Sequence, residues 1–125
     1  MKCKVPIVVL CIIFYACTSN DFFFDEANQE FSTNEGYFRF LTITGDSLTD
    51  FYNVIKRDNG EKVKKIRIDN LSKEFDIINW HGDTVYGIQL SKQMKYRVIN
   101  QSVYDAQSKE IKLETDSNGI LRSIN

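Results

Sequence analysis

Apolar and polar residues alternate with a period of two over much of the chain. Met94, Tyr96 and Val98 alternate with Lys95, Arg97 and Ile99, and Ile111 and Leu113 stand between charged neighbours over residues 110–115. A period of two puts successive side chains on opposite faces of a strand. Residues 62–69 (Val63, Ile66, Ile68), 75–80 and 84–90 read as further strands. They are punctuated by His81-Gly82-Asp83, a tight turn, and by Asp116-Ser117-Asn118-Gly119, after which residues 120–124 close a hairpin. Residues 37–44, Tyr-Phe-Arg-Phe-Leu-Thr-Ile-Thr, carry large apolar groups on both faces, as a buried strand does.

One segment has a different period. Leu48, Phe51, Tyr52 and Ile55 fall at i, i+3, i+4 and i+7, which places them on one face of a helix over residues 47–58. Ser47 and Asp50 resemble a capping box, and Asn59-Gly60 suits a left-handed helix end. A hairpin turning at Asp58-Asn59-Gly60 is the competing reading, since residues 52–55 are good strand formers. With the helix, the prediction is an α+β fold dominated by strands: an antiparallel β-meander with one short helix after the first strand, one sheet face packed on the helix and the other facing water.

The start of the chain is patterned for export. Lys2 and Lys4 precede an uncharged run over residues 5–16, with Ala16 before Cys17. As a helix those twelve residues span about 18 Å at roughly 1.5 Å per residue, too short for a bilayer core of about 30 Å. A charged start, a short apolar run and a small residue describe a secretory signal. Phe14 does not suit ordinary signal peptidase, which favours small residues at the first and third positions before the cut. The cut before Cys17 instead resembles the bacterial lipobox. Phe14 and Tyr15 depart from its usual leucine and small residue, in the looser manner of Bacteroidota lipoproteins. This resemblance covers residues 1–20 only and implies lipidation of Cys17, with a location in the cell envelope facing the periplasm or the cell surface. The expected organisation is a signal peptide over residues 1–16, a tether over 17–36 and one domain over 37–125.

Composition sharpens the picture once the signal is removed. Of 125 residues 109 remain, enough for one domain with its own core. Cys3 and Cys11 leave with the signal and Cys17 is acylated, so the mature domain is expected to hold no disulfide, no thiolate metal site and no cysteine nucleophile. Lys2 and Lys4 also leave, which gives 14 basic against 17 acidic residues and a net charge near −3. That balance argues against a nucleic-acid partner, which requires a basic surface. Phe22-Phe23-Phe24 interrupts the polar tether, either as a short edge strand or as a contact with a membrane or a partner.

Candidate chemistry is sparse. His81, the single histidine, sits beside Trp80 and two residues before Asp83. The pattern is either a base oriented by a carboxylate or plain turn chemistry with Gly82 supplying the positive φ. No serine elbow or phosphate-binding glycine loop occurs in the sequence. Residues 114–119 touch a calcium-loop pattern, but Asn125 stands where a bidentate Glu is needed, so a hairpin turn is expected. Asp46-Ser47-Leu48 and Asp83-Thr84-Val85 resemble the short O-glycosylation motif of Bacteroidota exported proteins. Lys62, Lys64, Lys65 and Arg67 form either a site for acidic partners or lipid headgroups or, more simply, a solvated strand face.

The expectation from sequence is therefore a membrane-tethered, non-catalytic binding module for a protein or glycan, with Trp80, His81 and Tyr86 as candidate binding residues and with no metal and no cofactor. A small inhibitor or immunity protein against a secreted protease or toxin is the alternative. An enzyme using carboxylates such as Glu74 and Asp76 is a third reading.

Overall fold

The computed structural model describes residues 19–58, 61–71 and 74–124. The signal segment and Cys17 lie outside the described residues. Among the described residues ten strands form: β1 Phe23–Asp25, β2 Glu30–Ser32, β3 Phe40–Gly45, β4 Phe51–Lys56, β5 Lys65–Arg67, β6 Phe75–Asn79, β7 Thr84–Val85, β8 Lys95–Asn100, β9 Lys109–Thr115 and β10 Leu121–Ser123. They make two antiparallel sheets, a small one ordered β1-β2-β5 and a large one ordered β10-β9-β8-β3-β4-β6-β7. Among the described residues the sole helical element is a single 3-10 turn, Ile68–Asn70. The α+β reading is thus corrected to all-β.

The predicted helix over residues 47–58 is the point of failure. Residues 46–49 form a turn in which the Asp50 N–H donates to the Ser47 carbonyl and the Gly45 N–H to the Asp50 carbonyl. The chain then runs as β4, between β3 and β6. Leu48, which the helical stripe requires to be buried, is 87% exposed, whereas Val54, outside that stripe, is buried. The run Phe-Tyr-Asn-Val-Ile suits a pleated surface with ladders on both sides. A central strand satisfies every backbone group from two neighbours, which a short helix beside a sheet edge does not.

Register fixes which side chains point inward. Leu41 faces Val54 and Asn100 across its two neighbours, Ile43 faces Tyr52 and Val98, and Val54 faces Ile77. Tyr96 faces Leu113, and Leu121 faces Thr115. Leu41, Ile43, Val54, Tyr96, Val98, Leu113 and Leu121 meet Phe22, Phe31, Phe38 and Ile66 in one buried cluster. The layer covering the large sheet is therefore the small sheet, not a helix. Phe31 lies between Phe24 and Ile66 in register. Its ring sits 4.9 Å from that of Phe24 and 5.9 Å from that of Phe22.

Residues 19–36, expected as a tether, are part of this fold. Phe22 is buried and Phe24 half-buried, while Phe23 is exposed on the edge strand β1. The β1–β2 turn also covers the edge of β10. Gln29, at φ 51°, accepts from the Leu121 N–H at 3.0 Å and donates from Nε2 to the Leu121 carbonyl at 2.8 Å. Glu26 accepts from the Ser123 N–H at 2.8 Å. A side-chain amide thereby takes the place of an eleventh strand, which protects an edge that invites association.

Candidate functional site

The strands of the large sheet define two ends. At one end lie the turns over residues 46–49, 80–83 and 116–119. At the other lie the start of β3, the ends of β4 and β8, and the loop over residues 103–107. Strands of six residues at about 3.3 Å each hold these ends roughly 17–20 Å apart.

Trp80 and His81 stand at the first end, in the turn between β6 and β7. Asn79 builds that turn: its Oδ1 accepts from the His81 and Asp83 N–H groups, each at 3.0 Å. Its carbonyl accepts from Gly82, and its own N–H donates to the Asp83 carbonyl. Gly82 has φ +86°, which a side chain resists. The His81 ring makes no hydrogen bond or ion pair among the described residues; it lies on the Trp80 indole, ring centroids 3.7 Å apart. His81-Gly82-Asp83 is a tight turn built on Asn79. Trp80 is 46% exposed. It borders a shallow pocket of about 280 Å³ shared with Thr44, Asp46, Ser47, Leu48 and Phe51. Tyr86, the third candidate, is not gathered into this pocket. It follows β7 and is fully exposed.

The turn over residues 46–49, which lines this pocket, is anchored by Asp50. Asp50 is buried, and its Oδ1 accepts from Ser91 Oγ at 2.9 Å and from the Tyr96 hydroxyl at 3.1 Å. Burial raises the Tyr96 phenol above its ordinary value, with the nearby Asp50 carboxylate adding to the effect. Gly45 passes this cluster so closely that a Cβ there would lie 2.8 Å from Asp50 Cβ and 2.9 Å from Tyr96 Cε1. Spacing did not reveal this support, because Asp50 lies 41 residues before Ser91 and 46 before Tyr96.

A second, larger cleft of about 980 Å³ opens at the other end. Phe40 and Ile55, paired across β3 and β4, lie on the outer face of the sheet and line it. Tyr37, Arg39, Lys62 and Tyr104 also border it. Tyr104 is 93% exposed. Lys62 Nζ and Lys64 Nζ lie 5.1 and 5.2 Å from the centre of the Tyr37 ring. Sequence reasoning passed over this cleft, because Tyr37 and Tyr104 carry no motif and meet only through the fold. Lys65 and Arg67 of the basic run are exposed on β5, a solvated strand face.

The remaining candidates lie elsewhere on the large sheet. Asp76 pairs with Arg57 at 2.7 Å on the outer face, and Glu74 precedes β6. Among the described residues no group of three or more His, Cys, Asp or Glu is arranged to hold a metal, and no helix is long and apolar enough to cross a membrane. Asp116 of the calcium-like segment is committed to its hairpin. Its Oδ1 accepts from the Asn118 and Ile120 N–H groups at 2.8 and 3.0 Å, and its Oδ2 from Arg122 Nε at 3.1 Å. The Ile120 N–H, then that of Asn118, then Arg122 hold its carboxyl below the ordinary 3.8, against the opposing effect of desolvation. A depressed folded value means stability present above the unfolded value and lost as pH falls through the folded one. In a titration followed by NMR, the Asp116 carboxyl should protonate below pH 3.8, and Asp116→Asn should flatten this part of the acid limb of stability. An acid limb unchanged by the substitution would count against the assignment.

No protein-family model matches this chain, and no curated protein or solved structure matches it either. The functional reading therefore rests on the geometry of the two ends.

Proposed function

We propose that this chain is an exported, lipid-tethered and non-catalytic binding module of the cell envelope, and that it binds a glycan at Trp80. The observation that carries the reading is the half-exposed indole. His81 backs it, and it stands beside a pocket whose lining includes the oxygen-bearing residues Thr44, Asp46 and Ser47. A flat aromatic with a polar rim suits a sugar ring, whose C–H face stacks on the indole while its hydroxyls hydrogen-bond to the rim. A shallow site open to solvent suits the terminus or edge of a chain better than an engulfed small molecule. The tether accounts for the two lysines, the short apolar run and Cys17. Stable anchoring takes more than one acyl chain, each buried methylene contributing about 0.8 kcal/mol.

Trp80 is the single tryptophan of the chain, so its fluorescence reports on the site without interference. Titration with a panel of neutral and acidic oligosaccharides should give at least one saturable shift of its emission. Trp80→Ala should weaken that ligand by about 2 kcal/mol, roughly thirtyfold in Kd by calorimetry, with thermal stability little changed. A panel that leaves the emission unmoved, or a glycan that binds Trp80→Ala as tightly as the wild type, would overturn the reading.

A further inference from the structure

The N-terminal stem enters the fold without slack. Ser19 and Asn20 are both buried. Ser19 Oγ donates to Glu35 at 2.7 Å, and Asn20 is held on both sides of its amide by the loop over residues 103–107. Gly36 lies against Val103 and the Ser19 carbonyl. The stem, Tyr37 and the loop bearing Tyr104 therefore meet at one end of the large sheet, and the larger cleft opens there.

Only Thr18 stands between Cys17 and this buried stem. A residue spans at most about 3.6 Å of extended chain, so the Cys17 backbone lies within roughly 7 Å of Ser19. The headgroup layer of a bilayer is itself about 5–7 Å thick on each side. A tether this short cannot lift the domain clear of the membrane, and it leaves one end facing the lipid.

We infer that this end, through Tyr37, Arg39, Lys62, Lys64 and Tyr104, docks on the phospholipid headgroups of the bilayer that carries the Cys17 anchor. The inference rests on the lipidation reading of Cys17. The chemistry of the surface suits the occupant. Tyrosine rings, apolar in body and polar at the tip, settle at headgroup depth. The Arg39 guanidinium has no hydrogen-bond or ion-pair partner among the described residues, and it presents a planar fork that matches phosphate. Lys62 and Lys64 are gathered over Tyr37 and add two ammonium groups, that of Lys64 also donating to the Asn34 carbonyl at 3.2 Å. Asp58 and Glu61 in the cleft, and Asp105 next to Tyr104 in the chain, offset part of this charge, while Lys56 and Arg57 line the same cleft. Docking therefore combines aromatic insertion and phosphate hydrogen bonds with a modest excess of positive charge. The arrangement also orients the molecule: the strands carry the Trp80 end roughly 17–20 Å from the membrane-facing end, toward the aqueous side.

The test uses the full chain, expressed in a bacterial host and placed in nanodiscs of phosphatidylethanolamine and phosphatidylglycerol. Acylation of Cys17 leaves the mature domain without a thiol, so Asp105→Cys and Ser117→Cys each give one nitroxide site, at opposite ends. Intact mass establishes loss of residues 1–16 and gain of acyl chains. In the acylated protein the label at 105 should be several-fold less accessible to a water-soluble nickel chelate than the label at 117, and more accessible to oxygen. Replacing Tyr37 and Tyr104 together with Ser should raise accessibility at 105 toward that at 117 while the acyl mass remains. Equal accessibility of the two labels in acylated protein would overturn the docking and leave the tether standing. A mass without acyl chains would overturn both, so the two failures are told apart.

Discussion

Asn20→Ala should destabilise the domain by about 3 kcal/mol, because one buried amide closes several backbone gaps at once. Nδ2 donates to the carbonyls of Val103 and Gln107, each at 3.1 Å, and more weakly to that of Ala106 at 3.4 Å. Oδ1 accepts from the Val103 N–H at 2.6 Å. The Asn20 carbonyl accepts from Asn100 Nδ2 at 3.1 Å, and Asn100 Oδ1 accepts in turn from the Ser102 N–H and hydroxyl. Ser102 Oγ receives the N–H groups of Arg39 and Phe40. Stem, β3, β8 and the loop over residues 103–107 are thus tied through one polar knot, with no orphaned buried side-chain N or O atom among the described residues. Alanine leaves the Val103 N–H and two carbonyls without partners where water enters poorly, and each orphan costs about 1–3 kcal/mol. Chemical denaturation should show the lower midpoint. Amide exchange should show the loss centred on residues 100–107. A stability unchanged within about 0.5 kcal/mol would mean that the stem is not integral to the fold, and the short-tether argument would fall with it.

Phe31→Ala should cost about 3–5 kcal/mol, the range for deleting a fully buried aromatic side chain. Phe31 is fully buried at the middle of the small sheet, flanked by Phe22 and Phe24 and seated in the cluster that holds Val98, Leu113 and Leu121. Its ring, with Phe22, Phe38 and Ile66, joins the small sheet to the large one. The small sheet has only three strands of three residues each, so its backbone cannot collapse far into the cavity. For a domain of about 100 residues this corresponds to a Tm fall of roughly 15 °C or more. Phe31→Leu, which keeps most of the volume, should recover a large part of the loss. Equal Tm values for Phe31→Ala and wild type would show that the small sheet does not carry the core.

The strands were legible where one face is buried and the other wet. Over β8, Tyr96 and Val98 are buried while Lys95 and Arg97 are exposed, as their alternation predicts. The β9–β10 hairpin follows from Asp116 to Gly119 in the same way, because turn geometry is set by neighbours in the chain. The predicted helix failed because its stripe and a strand's faces share residues. Phe51 and Tyr52 lie side by side on a helix face, yet they point to opposite faces of β4. Local pattern cannot separate these cases in a short apolar run.

The candidate site was legible only in part. Trp80 and His81 were recognisable as an aromatic beside a turn. Their pocket needs the turn over residues 46–49, brought alongside by the β3–β4–β6 pairing. Tyr37 read only as the start of an apolar strand and Tyr104 as an aromatic in a polar stretch, so neither pattern brought the two together.

The sequence by itself determined the strands over most of β3, β6, β8 and β9, the tight turns at Gly82 and Gly119, and the absence of thiols after Cys17. Each depends on residues within a few positions of one another. The strand read over residues 84–90, by contrast, shrinks to Thr84–Val85. Only the tertiary structure decided that β4 is a central strand, that β8 lies beside β3 rather than beside β7, and that residues 19–36 complete the core. Those outcomes depend on contacts between segments as far apart as Asn20 and Gln107. Their free energy appears only when the chain closes on itself: buried apolar area and satisfied amides then outweigh the entropy of closure, and no local pattern records that balance.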